Sequence, residues 1–303
     1  MNILMLFAFT EKPASPGWYI RRSFLRMGHS ITTMGHNCEI NTKGNNPYQT
    51  KNIHNIIKKK NIDLVLEIDS GGFDISWNPG HLKAQYKNVK FIYWGSDTHL
   101  GTVAGVYGNK RKRYDIAFFA QKKFIDDQHM SHRYWLPHAC DPEFHNPDIE
   151  DKKKVHDVTF IGHKHPTVHG KRIALLKMIK NDRIDINDRC YIYTKKMGAQ
   201  FVKSRIVLNC SLNGDLNMRF FEAMCSGACL LTDWSDHGGF AEQGFKRGEH
   251  YCAYDSNRHA VTAIRALLND HEKRKRIAKA GQKYVLENHT YDDRARKILS
   301  FVE

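Results

Sequence analysis

Residues 207–233 hold the pattern that most constrains what this chain can fold into. An apolar, β-prone run VLNCSL (207–212) and a second, ACLLTD (228–233), bracket the amphipathic stretch NMRFFEAMCSG (217–227). Short continuous apolar runs on either side of a helical period are what a parallel β–α–β unit requires, because strands of a parallel sheet are covered on both faces. Gly227 stands where the helix has to stop. Phe220, Phe221, Met224 and Cys225 fall on the sides that pack on the sheet. Arg219 and Glu222, three residues apart, share one face. That charged face is expected to look into the space above the strand ends.

The same alternation runs through the rest of the chain. In the first half ILMLFAF, a helix over 18–27, SITTMG, a helix near 50–60, IDLVLEI, VKFIYWG, DIAFFA and HRYWLP follow one another. Repeated β then α predicts a doubly wound parallel sheet. PHACDPEFHNPDIEDKKK (137–154) breaks the pattern and reads as a linker. The alternation then restarts with DVTFIG (157–162), a helix over 172–180, CYIY, RIVLNCSL, the unit at 207–233 and EHYCAY, and the tail from 257 onward is helical with a break at His289 and Thr290. The expected class is α/β, with two Rossmann-like domains facing a central cleft where ligands of such sheets bind. The expected boundaries are 1–145 for an N-terminal domain, 146–156 for the linker and 157–288 for the second domain, with a terminal helix, 289–303, packing back on the first.

A length of 303 residues suits two domains with full cores. Seven cysteines, odd in number and with no CxxC pair, fit a reducing cytoplasm and no disulfide scaffold. The apolar start over 3–9 lacks a basic leader and is too short to span a bilayer, so it reads as a strand. A net charge of +15, from 47 Lys and Arg against 32 Asp and Glu, attracts polyanions. Solvated lysine faces such as Lys58–Lys60 account for part of it equally well.

DVTFIGHKHPTVHGKR (157–172) is a strand, Gly162 at its end, a polar loop and a helix opening with Lys171 and Arg172. Backbone N–H groups, the helix dipole and a cation there suit a phosphate. The motif alone is common, and it is neither a P-loop nor GxGxxG. His163, His165 and His169 lack a carboxylate or cysteine at tetrahedral spacing and are expected to contact phosphate or solvent, so no metal is called for.

Four ordered motifs follow one another: DVTFIG (157–162), N-x-R-x-F-E-A-M-C-x-G-A (217–228), F-x-x-G-E-H-Y (245–251) and H-T-Y-x-x-R (289–294). In these the chain resembles the C-terminal domain of spore-maturation-protein-like glycosyltransferases, a branch of the GT-B superfamily. RMGHSI (26–31), YWGSDTH (93–99) and LPHACDP (136–142) match it more loosely. The resemblance implies a nucleotide-sugar co-substrate, a UDP-sugar, held by the C-terminal domain without a required cofactor. Glu222 then meets the ribose or sugar, Arg219, Lys171 and Arg172 meet the diphosphate, and Gly162 and Asn217 complete the donor site. Many relatives carry a second glutamate eight residues earlier. Here that position is Gly214, and Asp215 or Asn217 is the substitute.

Sugar transfer needs the negative charge on the leaving diphosphate stabilised, which Arg, Lys and helix N-termini do without a metal. An inverting enzyme also needs a carboxylate base for the acceptor hydroxyl. Asp97, with His99 beside it, is the first candidate, ahead of Glu67 or Asp69 before Gly71 and Gly72; each also reads as a helix N-cap. Ser15, Gly17 and Trp18, with Tyr19, follow the first strand and suit an acceptor or simply anchor a helix. GNKRKRYD (108–115) is the densest basic cluster, with Lys110, Arg111 and Arg113 between Tyr107 and Tyr114. Basic residues interleaved with aromatics suit a nucleic-acid backbone, although a solvated basic loop is the commoner outcome for a single cluster of this kind. The favoured acceptor is hydroxymethylated cytosine in double-stranded DNA, as in phage DNA modification within the host cytoplasm. The base would have to be brought within reach, by flipping if need be. Transfer to a cell-surface glycan, a lipid-linked sugar or a protein is the alternative, and a non-catalytic DNA-binding protein of the same fold is the second.

Overall fold

A computed structural model of the chain describes residues 1–7, 15–35, 38–41, 50–69, 79–96, 113–122 and 132–302. They form two compact units, one of residues 1–137 and 291–303, the other of residues 138–290.

The first unit is built on a parallel sheet of seven strands, β1 (Asn2–Leu6), β2 (Ser30–Gly35), β3 (Ile40–Asn41), β4 (Leu64–Asp69), β5 (Lys90–Gly95), β6 (Ile116–Phe119) and β7 (Arg133–Trp135), in the order β3-β2-β1-β4-β5-β6-β7. Its central strands are the most apolar runs of the N-terminal half, and Leu4, Leu66, Phe91 and Tyr93 are fully buried. Helices α1 (Pro16–Arg26), α2 (Thr50–Lys60) and α3 (Gly80–Gln85) alternate with them. The chain returns to this unit at its end. The last helix, Tyr291–Leu299, stacks Tyr291 on Tyr19 of α1 at 4.9 Å and pairs Asp292 with Arg26 at 2.5 Å.

The second unit has β8 (His156–Ile161), β9 (Ile186–Arg189), β10 (Ser204–Leu208), β11 (Cys229–Asp233) and β12 (Cys252–Tyr254), all parallel, in the order β12-β11-β10-β8-β9. Its helices are α4 (Pro142–His145), α5 (Gly170–Asn181), α6 (Thr194–Val202), α7 (Met218–Cys225), α8 (Asn257–Asn269) and α9 (His271–Asn288), which makes the terminal helix α10. The unit expected at 207–233 is β10–α7–β11. Gly227 has φ +72°, the left-handed conformation that ends a helix, and a side chain there would meet Gln282. Phe220 and Phe221 are fully buried. Each contributes roughly 1.5–3 kcal/mol of apolar burial.

Two sequence expectations are corrected. CYIY (190–193) is not a strand: β9 is the polar INDR segment just before it, and Tyr191 has a left-handed φ of +57°. An edge strand is covered on fewer sides and need not be apolar, and here Asn187 is satisfied by Gln200 at 2.9 Å. The segment read as a linker is partly structured and packs within the second unit. Asp141 accepts the amide of Glu143 at 3.1 Å, Pro142 opens α4, and Phe144 and His145 are buried.

Helix α4 lies against α6, and Gly198 makes that approach possible. A Cβ there would stand 2.1 Å from the carbonyl oxygen of Phe144 and 2.7 Å from Cδ of Pro147. Gly198→Ala is therefore expected to destabilise the protein by roughly 1–3 kcal/mol. Thermal and denaturant unfolding measure this, and a variant as stable as the parent would contradict the tight α4–α6 packing.

Candidate active site

In the second unit, the side chains expected to bind a donor gather at the carboxyl ends of β8, β10 and β11 and the start of α7. Parallel strands end on one side of their sheet, so the loops after them converge. Gly162 follows β8, and a Cβ on it would press on the Phe160 ring at 2.9 Å and approach Arg172 at 3.6 Å. Arg172, in the first turn of α5, donates to the carbonyl of His163 at 2.6 Å and to that of Cys210 at 2.7 Å. It thereby ties the loop after β8 to the end of β10. Burial lowers its pKa, and its Nε is buried without a hydrogen-bond partner among the described residues. Lys171 is exposed.

The loop between β10 and α7 is pinned from β11. Asp233 accepts the amide of Ser211 at 2.8 Å and its hydroxyl at 2.6 Å, and the amide of Gly214 donates to the Ser211 hydroxyl at 2.7 Å. Gly214 has φ +72°, and a Cβ on it would lie 2.5 Å from that of Ser235. The backbone at the position of the missing glutamate thus favours glycine and leaves no room for a side chain. Asn217 is the N-cap of α7. Its amide oxygen accepts from the backbone of Phe220 at 3.1 Å, and its amide exchanges hydrogen bonds with Asn209 at 3.2 Å.

Arg219 and Glu222 do share a face of α7. Arg219 Nε donates to Glu222 Oε2 at 3.3 Å, and its guanidinium lies 5.6 Å from the Phe201 ring centre. The Glu222 side chain is 5% exposed and that of Arg219 21%, so Arg219 presents the more accessible charge. Beyond Glu222, at 3.6 Å from Oε1, stands Nε2 of the buried His145. Reading the sequence missed this residue, because it lies 77 positions away in a segment with no periodic signal. It also missed an aromatic wall beside the loop after β8. Tyr191, 68% exposed, meets His163 edge-on at 4.9 Å, and the Tyr193 hydroxyl lies 3.4 Å from His163 Nε2. Partial burial lowers the His163 pKa, with the positive charges of Arg172 and Arg219 adding to the effect.

The three loop histidines do not converge. His165 donates its backbone N–H to His169 Nδ1 at 2.9 Å, while its own Nδ1 faces the Thr167 hydroxyl at 2.8 Å. Among the described residues no group of three or more His, Cys, Asp or Glu is placed to hold a metal ion, and no helix is long and apolar enough to cross a membrane.

In the first unit, the residues expected on the acceptor side have structural duties. Ser15 precedes α1, and its carbonyl accepts from the amide of Trp18 at 3.0 Å. Gly17 sits so close to the Phe7 ring that a Cβ would approach it to 2.7 Å. Trp18 packs edge-on against Tyr19 at 5.3 Å, with Arg22 over its ring at 5.2 Å. Glu67, an alternative base by sequence, is fully buried in β4 and accepts a hydrogen bond from the Tyr114 hydroxyl. Arg113 is exposed. Asp97, His99, Lys110 and Arg111, and with them Gly71, Gly72, Tyr107 and the side chain of Asp69, lie outside the described residues.

Two units, each built on a parallel sheet flanked by helices, are the architecture of the GT-B fold. Solved structures of that kind align along the whole chain. The Anabaena HepE protein in complex with UDP and glucose aligns with a TM-score of 0.72 at 12% identity, covering 100% of this chain and 99% of its own. A glycosyltransferase from Rickettsia africae gives 0.71 at 12% identity, covering 99% and 97%. An alpha-glucosyltransferase in complex with UDP and a 13-mer DNA gives 0.63 at 12% identity, covering 100% and 99%. No curated protein sequence matches the chain. Residues 153–300 match the family described as "Glycosyl transferase-like". The chain has the GT-B fold, and its similarity to the glycosyl transferase-like family extends over just under half of its length.

Burial holds the His145 imidazole below its usual value of 6.5; Glu222 and then Asp141 oppose the shift, and Arg219 adds to it. Below that value the unfolded chain takes up a proton that the folded chain does not, so this group makes stability fall as pH falls. His145→Gln removes the group. The stability of the parent relative to this variant is therefore expected to decline from about pH 7 to about pH 5 in denaturant titrations. A difference that does not vary with pH would contradict a buried neutral imidazole.

Proposed function

We propose that the protein transfers a sugar from a UDP-sugar to a hydroxyl group, with the donor held at the strand ends of the second unit. The observation that carries this reading is the Arg219–Glu222 pair at the start of α7, with Arg172 fixed across the ends of β8 and β10. Glu222 receives the ribose or sugar hydroxyls. Arg219, Lys171 and the backbone amides of the loop after Gly162 stabilise the diphosphate as the bond from the anomeric carbon to its oxygen breaks. Arg172 holds that loop in place and adds positive charge nearby. The acceptor oxygen forms the new bond to the anomeric carbon, and Asp97 takes its proton if the configuration inverts. UDP and glucose bound to the Anabaena protein of like fold support the donor class.

We further propose hydroxymethylated cytosine in DNA as the acceptor. The net charge of +15 and the basic run 108–115 supply attraction for a polyanion, and a fold relative that binds UDP and DNA gives precedent for that use of the fold. Ser15, Gly17, Trp18, His99, Lys110, Arg111 and Arg113 make up the acceptor side.

Incubating the protein with UDP-glucose and related donors, and with hydroxymethylcytosine DNA or plain DNA, tests both halves by mass spectrometry. A mass gain of one sugar on the modified DNA alone is expected, and Glu222→Ala should abolish both transfer and donor hydrolysis. Full activity of Glu222→Ala would overturn the donor site. Affinity for duplex DNA should drop steeply with salt, by about 10³-fold or more between 50 and 200 mM for six or more phosphate contacts. Absent or salt-insensitive binding would instead favour a glycan acceptor.

A further inference from the structure

The proposed donor site contains a residue that no motif indicates. We propose that His145, from the segment preceding the second sheet, positions Glu222 for the nucleotide by presenting its Nε2–H to the carboxylate; this rests on the donor reading above.

Three observations set the geometry. The backbone N–H of Asp141 donates to His145 Nδ1 at 3.0 Å. A neutral imidazole whose Nδ1 accepts must carry its proton on Nε2. Nε2 in turn lies 3.6 Å from Glu222 Oε1, with the imidazole fully buried. That separation is longer than a hydrogen bond, so the contact is a directed dipole facing a carboxylate. Arg219 holds the other oxygen at 3.3 Å. Glu222 is therefore gripped on both sides, by a cation near the surface and by a fixed N–H from within. A buried carboxylate without such partners is costly and adopts other rotamers.

The imidazole is itself preorganised. Asp141 caps α4 through its side chain, and α4 is pressed onto α6 at Gly198. Burial keeps the ring neutral, although Glu222 and Asp141 both favour its protonation. A neutral donor orients the carboxylate without neutralising it. Glu222 thus keeps acceptor capacity for hydroxyl groups of the ligand.

The two ring nitrogens do different work, and two amide variants separate them. In His145→Asn the amide oxygen stands near the place of Nδ1 and still accepts from Asp141, but the shorter side chain no longer reaches Glu222. In His145→Gln the amide N–H stands near the place of Nε2 and still faces Glu222, while the bond from Asp141 is lost. Calorimetric titration with UDP, with thermal unfolding measured alongside, is expected to show His145→Gln binding within about threefold of the parent and His145→Asn about tenfold more weakly, as the dipole facing the buried carboxylate is removed. Adding His145→Asn to Glu222→Gln should produce no further loss. Parent-like binding by His145→Asn, or weaker binding by His145→Gln than by His145→Asn, would show that His145 serves only the turn at Asp141. A parent protein that binds no UDP would overturn the donor reading and this inference together, whereas parent binding unaffected by His145→Asn would overturn this inference alone.

Discussion

The start of α7 is organised around one buried carboxylate, Glu222, and the groups that make its burial tolerable. Glu222 lies on a helix whose other residues are nearly all packed inward. A charge in that position is strongly unfavourable unless matched. The match comes from Arg219 one turn earlier and from His145 in a separate segment. The short helix α4, its cap at Asp141 and the glycine contact at α6 can all be understood as what brings the imidazole there.

The rest of the site is held by polar groups bonded to backbone more than by contacts among candidate ligand-binding side chains. Arg172 joins two loops through their carbonyl oxygens, and Asp233 fixes the loop before α7 through Ser211. Each bond satisfies a group at the end of a parallel strand, where ladder partners run out. Rigid loops of this kind suit a site that must meet a charged diphosphate without reorganising. Beneath α7 lies an aromatic cluster in which Phe245 stacks on His289 at 4.6 Å and His250 on Tyr284 at 4.4 Å. Phe245 and His289, from the F-x-x-G-E-H-Y and H-T-Y motifs, thus supply part of the support for the helix that carries Glu222.

Much of this was legible in the sequence for a physical reason. Central parallel strands are buried on both faces and give continuous apolar runs, so β8, β10 and β11 and the helix between the last two stood out, as did the stop at Gly227. The Arg219–Glu222 pair followed from helical spacing. The polar edge strand β9 did not, because a strand with an uncovered edge carries no such signal and the apolar CYIY beside it imitated one. His145 was illegible for a different reason: its partner is distant in sequence, and a Pro- and Asp-rich segment looks the same whether it links two domains or caps a short helix. Gly214 reads in sequence as a missing glutamate, and only its φ of +72° and the contact with Ser235 show why a side chain is excluded.

The most direct measurement is a crystal structure of the protein with UDP bound. The ribose hydroxyls should lie within hydrogen-bond distance of Glu222 and the diphosphate beside Arg219 and the loop after Gly162, with His145 still facing Glu222 from the interior. UDP bound elsewhere, with Glu222 still enclosed by Arg219 and His145 and touching no ligand atom, would contradict a nucleotide-sugar site on the second unit.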